Sequence, residues 1–191
     1  MKKLLLPLAL VAFLFGCKES GNQESKVETD ESFNKVKTAG VFVLGLDDSF
    51  PPMGFRDKEN NIVGFDIDLA TEVCARLGLQ LKTQPISWDA KEQELNTGKI
   101  DCIWNGMSVD SARAKAMSLS DAYLKNRMIF TVKDKSLASL SALAGKKVAV
   151  QNGSTAQKLL EASEAGKAAK EIVPFDDNQT ALMDLEKGGV E

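Results

Sequence analysis

The chain has 191 residues, 43% of them hydrophobic and 27% charged, with a net charge of −3, the balance of a soluble globular protein. That charge is too acidic for a nucleic-acid partner. Histidine is absent, which removes the commonest general base and the commonest metal ligand, so an ordinary hydrolase or a zinc enzyme is not expected, and no metal site or cofactor is read from the chain.

The first element in chain order is not part of the fold. Lys2 and Lys3 precede an apolar run from Leu4 to Phe15, followed by Gly16 and Cys17, the n-region and h-region of an export signal over residues 1–16. The run is shorter than the roughly twenty residues a spanning helix needs. Leu14-Phe15-Gly16-Cys17 resembles a bacterial lipobox, with Cys17 as the lipidated residue and a bulkier Phe15 than is usual. Residues 17–30 are polar and charged, with little to bury, and are expected to form a flexible tether between membrane and fold.

Strand and helix patterns then alternate. Val41 to Leu46 is a continuous apolar run, and Ile67, Ala70, Val73, Cys74 and Leu77 mark one face of a helix from about Asp66 to Gly78. Leu79 to Thr83 alternates as a strand, Asp89 to Leu95 reads as a helix, and Ile100 to Trp104 reads as a strand. Further strands are predicted at Met128 to Val132, Lys147 to Val150 and Glu171 to Phe175. Helices are predicted at Leu137 to Leu143, Thr155 to Glu164 and Gln179 to Lys187. The alternation predicts an α/β fold of βαβ units, with largely parallel sheets flanked by helices. Ligands of such sheets sit at the carboxyl ends of the strands, where the loops at Asp47, Asn105 and Gln151 fall.

The run Asn105 to Tyr123 carries the most chemistry. It sets free backbone amides, the Ser108 hydroxyl and the Arg113 guanidinium just after a strand. With Asp110 opening a helix, Arg113 folds back over that helix's start, and one carboxylate meets both groups. Lys91, Glu92 and Glu94 read as a solvated helix face, with Lys91 also open to recruitment by a charged ligand side chain. Cys74 and Cys102 read as free buried thiols, and Trp104 as core.

Several segments together resemble the family 3 extracellular solute-binding proteins, the amino-acid receptors of ABC importers. They are Gly45-Leu46-Asp47-Asp48-Ser49-Phe50-Pro51-Pro52-Met53, Val63-Gly64-Phe65-Asp66-Ile67-Asp68-Leu69, Gly98-Lys99-Ile100-Asp101, Gly106-Met107-Ser108, Arg113, Ser120-Asp121-Ala122-Tyr123, Leu143-Ala144-Gly145-Lys146-Lys147-Val148 and Gln151-Asn152-Gly153-Ser154. The resemblance runs in order from about Phe33 to Glu191. It implies a two-lobe periplasmic-binding-protein type 2 fold, with lobe 1 at residues 31–127 and lobe 2 at 128–191.

The resemblance further implies that Arg113 forks the α-carboxylate of a free amino acid. Ser108 would add a hydroxyl and an amide, and Ser154 and Thr155, in the Gly153 turn, amides at a helix start. Gly106 would lend a carbonyl to the ammonium group, and Asn105 would sit on the pocket wall. Asp47 and Gln151 lie where the family reads the ligand side chain, while Asp47 as a turn cap is the bland reading. Phe50 and Trp88 are either pocket aromatics or core.

Family members continue beyond the position of Glu191 with a strand bearing an aspartate for the ammonium group, so the second lobe is expected to be truncated. The implied function is the substrate-binding component of an importer, lipid-anchored at the cell membrane and facing the periplasm or the exterior. It would deliver a polar or basic amino acid to ABC permease subunits. The same fold also serves as a periplasmic sensor module and as an enzyme resembling cyclohexadienyl dehydratase.

Overall fold

Six residues with no charge among them, Val41–Leu46, form the first strand, β1, and everything on its side of the molecule is built around it. In the computed structural model, which describes residues 30–137 and 139–191, β1 lies between β5 (Gln80–Pro85) and β6 (Cys102–Ile103), parallel to both. A parallel neighbour requires a crossover, and the helix α2 (Phe65–Leu77) supplies it. Leu44 and Leu46 of β1 and Ile67 and Ala70 of α2 are buried together, with Phe42, Leu81 and Trp104 packed around them. Gly78 ends α2 in the left-handed conformation, φ 68°, where a side chain would be strained. The signal segment, Cys17 and all but the last residue of the expected tether lie outside the described residues.

Between β1 and α2 the chain makes a second, antiparallel sheet of β2 (Ser49–Phe50), β3 (Gly54–Arg56) and β4 (Ile62–Val63). These strands are too short to show a period, and the sequence reading has none of them. The helix α1 (Ser32–Ala39) is also an addition, and none of its residues is buried. After β5 comes a 3₁₀ turn, Trp88–Ala90, running into α3 (Lys91–Asn96). The helix α4 (Ser111–Ala116) follows β6.

The third sheet pairs β7 (Lys147–Gln151) with β8 (Glu171–Phe175), again parallel, with Lys147 opposite Glu171. The predicted helix from Thr155 is two helices, α5 (Thr155–Ala162) and α6 (Glu164–Ala168), because the Ser163 hydroxyl accepts the Gly166 N–H and starts a new helix. The last helix, α7 (Asn178–Lys187), stops at Gly188 with φ 82°. Val148, Val150 and Leu160 form the core here.

Two expectations fail. Met128–Val132 is not a strand, and Ile129 is 81% exposed; an apolar run becomes a strand only when a neighbour takes its N–H and C=O groups, and no described strand pairs with it. Leu137–Leu143 is not an α-helix: Leu137 closes one 3₁₀ turn, Lys135–Leu137, and Leu140–Leu143 is a second. Cys74 is buried and Cys102 half-buried, and neither is in a disulfide. Burial, and secondarily Asp101, pushes the Cys102 thiol up to about 11.

Candidate ligand-binding site

Asp47 directly follows β1, Asn105 lies just beyond β6, and Gln151 ends β7, so the parallel strands point these side chains' loops toward one another. Asp110 caps α4 as its sequence predicts: its carboxylate accepts the N–H groups of Ala112 (2.8 Å) and Arg113 (3.0 Å). Those bonds hold its carboxyl below the ordinary range. The cap turns Arg113 inward to 6% exposure.

Arg113 Nη1 donates to the Ser108 carbonyl at 2.8 Å and to Thr155 Oγ1 at 2.9 Å. The guanidinium therefore ties the loop after β6 to the start of α5, 42 residues away. Ser108 takes part through its carbonyl, while its hydroxyl accepts from Asn126 at 2.8 Å. The Ser154 hydroxyl caps α5 by accepting the Gln157 N–H at 3.0 Å. This leaves a helix start with its dipole directed at Arg113's neighbourhood, a setting in which an anion is stabilised.

Lys91 departs from its sequence reading. It is not on a solvated face but 4% exposed, with Nζ donating to the carbonyls of Trp88 (2.9 Å) and Gly153 (3.0 Å). The same ammonium stands 5.0 Å from the centroid of the buried Trp88 ring, a cation–π contact. Burial first, and then the Arg113 charge, pull it below the ordinary lysine range. The i, i+3 spacing of Trp88 and Lys91 is the one local signal of this pairing.

At the other end, Gln151 Nε2 donates to Asp47 Oδ2 at 2.7 Å, and Gln151 Oε1 accepts from Asn178 at 3.0 Å. Asp47 Oδ1 also accepts the Ser49 N–H at 2.8 Å, the turn-cap contact, while Oδ2 is taken by Gln151. Burial raises its carboxyl above the ordinary 3.8, against the Ser49 and Gln151 bonds, with Asp177 and Asp48 adding to the rise. An acid raised in the folded state keeps its proton there longest, so its contribution to stability declines as pH climbs from 3.8 through the folded value and stays reduced above it. Asp47→Asn is expected to remove that part of the pH slope, at most about 1.4 kcal/mol per pH unit across the window. Urea unfolding between acid and neutral pH checks this, and an unchanged profile would refute it.

Gly106, with φ 58°, faces Met53 and Phe50: a Cβ built on it stands 3.2 Å from Met53 Cγ and 3.7 Å from Phe50 Cε1. Asn105 is buried, and its Oδ1 has no partner among the described residues. Beneath this loop Asp66, 0% exposed, accepts from the Tyr123 hydroxyl at 2.8 Å. Burial raises the Asp66 carboxyl and, with that carboxylate as the next cause, pushes Tyr123 up to about 12. The bond joins the start of α2 to the segment after α4, a pairing 57 residues apart that no local pattern signals.

The structure thus joins Arg113 to Ser108 and Thr155, and Asp47 to Gln151. A cavity of about 290 Å³ is lined by Lys91, Arg113, Ser154 and Thr155 together with Glu92 and Lys158, and Asp47, Phe50, Asn105, Gly106, Ser108 and Gln151 lie outside its lining. Trp88 also lies outside it, buried under Lys91. Among the described residues no cluster of Cys, Asp or Glu is arranged to hold a metal ion.

Residues 42–187 match the model of the bacterial extracellular solute-binding proteins, family 3. The chain is 27% identical over 191 residues to ABC transporter arginine-binding protein 1 of Escherichia coli strain K12, covering 100% of this chain and 70% of that protein. It is 27% identical over 161 residues to the L-cystine-binding protein of the same strain, covering 83% of this chain but only 59% of that one. Among solved structures, an ABC uptake transporter substrate-binding protein from Streptococcus pneumoniae with bound histidine superposes with a TM-score of 0.76 at 34% identity, covering 85% of this chain and 68% of that one. The α/β fold with parallel sheets flanked by helices is the one those chains share.

Proposed function

Because the chain belongs to the bacterial extracellular solute-binding proteins, family 3, we propose that it is the substrate-binding component of an ABC importer. It holds one free polar or basic amino acid between residues 31–127 and 128–191 and delivers it to the permease. Cys17 anchors it to the membrane by a lipid, on the outer side.

The observation that carries this reading is Arg113, buried and bonded at once to the Ser108 carbonyl and the Thr155 hydroxyl. A guanidinium held between two turns is preset to receive a carboxylate in a planar fork. In this reading Ser108, Ser154, Thr155 and Gly106 surround that end, Phe50 and Asn105 form the walls, and Trp88 backs the wall from beneath Lys91. Asp47 and Gln151 face the ligand side chain, and a buried carboxylate there suits a basic one. The relatives are named for arginine, histidine and L-cystine, two of the three basic. The mechanism is capture by closure of two halves, without bond chemistry.

A thermal-shift screen of the twenty amino acids and L-cystine against the full chain tests it. Ligand at about a hundred times its Kd adds roughly 2.7 kcal/mol, so one or a few polar or basic amino acids should raise Tm by several degrees. A folded chain that no amino acid shifts would end the importer reading and leave a sensor module as the function to test.

A further inference from the structure

We infer that Lys91 is a positioning residue of the ligand site, holding the Gly153 carbonyl and thereby fixing the Gly153–Thr155 turn opposite Arg113. What the turn is used for rests on the proposed function; the contact itself does not.

Lysine is seldom fully buried unless its ammonium is partnered, and Lys91 is 4% exposed. Its partners are carbonyls on two separate turns, Trp88 on its own and Gly153 62 residues away. Other contacts join the same two turns. Asp89 Oδ2 accepts from Asn152 Nδ2 at 3.1 Å, and a Cβ on Gly153 would stand 2.7 Å from Asp89 Cα, so the two backbones touch. The next residues are Ser154 and Thr155, and Thr155 Oγ1 accepts from Arg113. One cation therefore grips the front of this turn and another its end. Their repulsion is offset by the carbonyls, the Trp88 face and nearby carboxylates, Asp110 standing 3.7 Å from Arg113 Nε. The contacts of Lys91 with Gly153 and of Asp89 with Asn152 exist only when the two turns are together. A contact that favours the assembled arrangement raises the fraction of molecules ready to bind, and apparent affinity rises with that fraction.

Methionine matches the apolar stem of Lys91 and has none of its donors, so Lys91→Met isolates the ammonium. In the full chain without ligand, hydrogen exchange of residues 152–156 is expected to accelerate about tenfold in K91M while exchange in β1 is unchanged, as loss of charge-assisted bonds opens one local unit. With L-arginine as probe, the apparent Kd should rise about fivefold to tenfold, chiefly through slower association, because a smaller fraction of molecules is ready to bind. Unchanged exchange at the turn would overturn the inference, and so would acceleration spread evenly over the chain, the mark of a residue that serves only the core. If K91M does not fold, Lys91→Gln, which keeps an N–H₂ donor, is read by the same exchange criteria, with a smaller acceleration expected. A wild-type chain with a protected turn that binds no amino acid would defeat the proposed function, and the exchange measurement would still decide the role of Lys91.

Discussion

Replacing Arg113 with alanine is expected to cost about 1.5–3 kcal/mol of amino-acid affinity, roughly a tenfold to hundredfold rise in Kd. The side chain is nearly buried, its capped helix aims it, and its two visible acceptors lie on turns 42 residues or five residues distant. A ligand carboxylate would add charge-assisted bonds in the geometry that guanidinium alone provides. Arg113→Lys should recover only part of the loss, since a point charge cannot fork two oxygens. Calorimetric titration of the best ligand from the thermal screen measures both variants. Affinity within about threefold of wild type for R113A would show that the carboxylate is bound elsewhere, because that change is below the weakest charge-assisted bond.

Gly153→Ala should be nearly as damaging to binding, for a different reason. Its φ of 65° already strains any side chain, and the added Cβ would sit 2.7 Å from Asp89 Cα and 3.0 Å from Asp89 Cβ. Strain in the left-handed region costs about 1–2 kcal/mol, while the collision with backbone forces the two turns apart. Gly145→Ala separates these effects, since Gly145 has φ 73° with nothing within 4 Å of its Cβ position. By urea unfolding G145A should lose only the cost of the left-handed backbone and G153A more than that, and only G153A should also lose ligand affinity, by more than about tenfold. Equal affinities for the two would show that the approach of Gly153 to Asp89 is not needed for binding.

Much of the fold was legible because it is locally encoded. The apolar run Val41–Leu46, the α2 stripe ending at Gly78, the Asp110 cap and the starts of β7 and β8 each follow from a few neighbouring residues, and the structure has them at or within a residue or two of those positions. The order of such segments also pointed to the family, which the match over residues 42–187 shows. Lys91 was not legible. Its charges at helical spacing with Glu92 and Glu94 look solvated, and its burial is made tolerable by the Trp88 carbonyl and ring together with the carbonyl of a residue 62 positions later.

By itself, then, the sequence determined the elements whose formation depends on nearby residues, together with the residue types of the candidate site. Tertiary structure decided which of them meet: Asp47 with Gln151 across 104 residues, Arg113 with Thr155, Asp66 with Tyr123 across 57. It also decided that Met128–Val132, apolar as it is, forms no strand, and that two- and three-residue segments after β1 do. Propensity and periodicity act within one segment, whereas a β ladder and a buried polar bond need a second segment to complete them, and which one arrives is settled by packing of the whole chain.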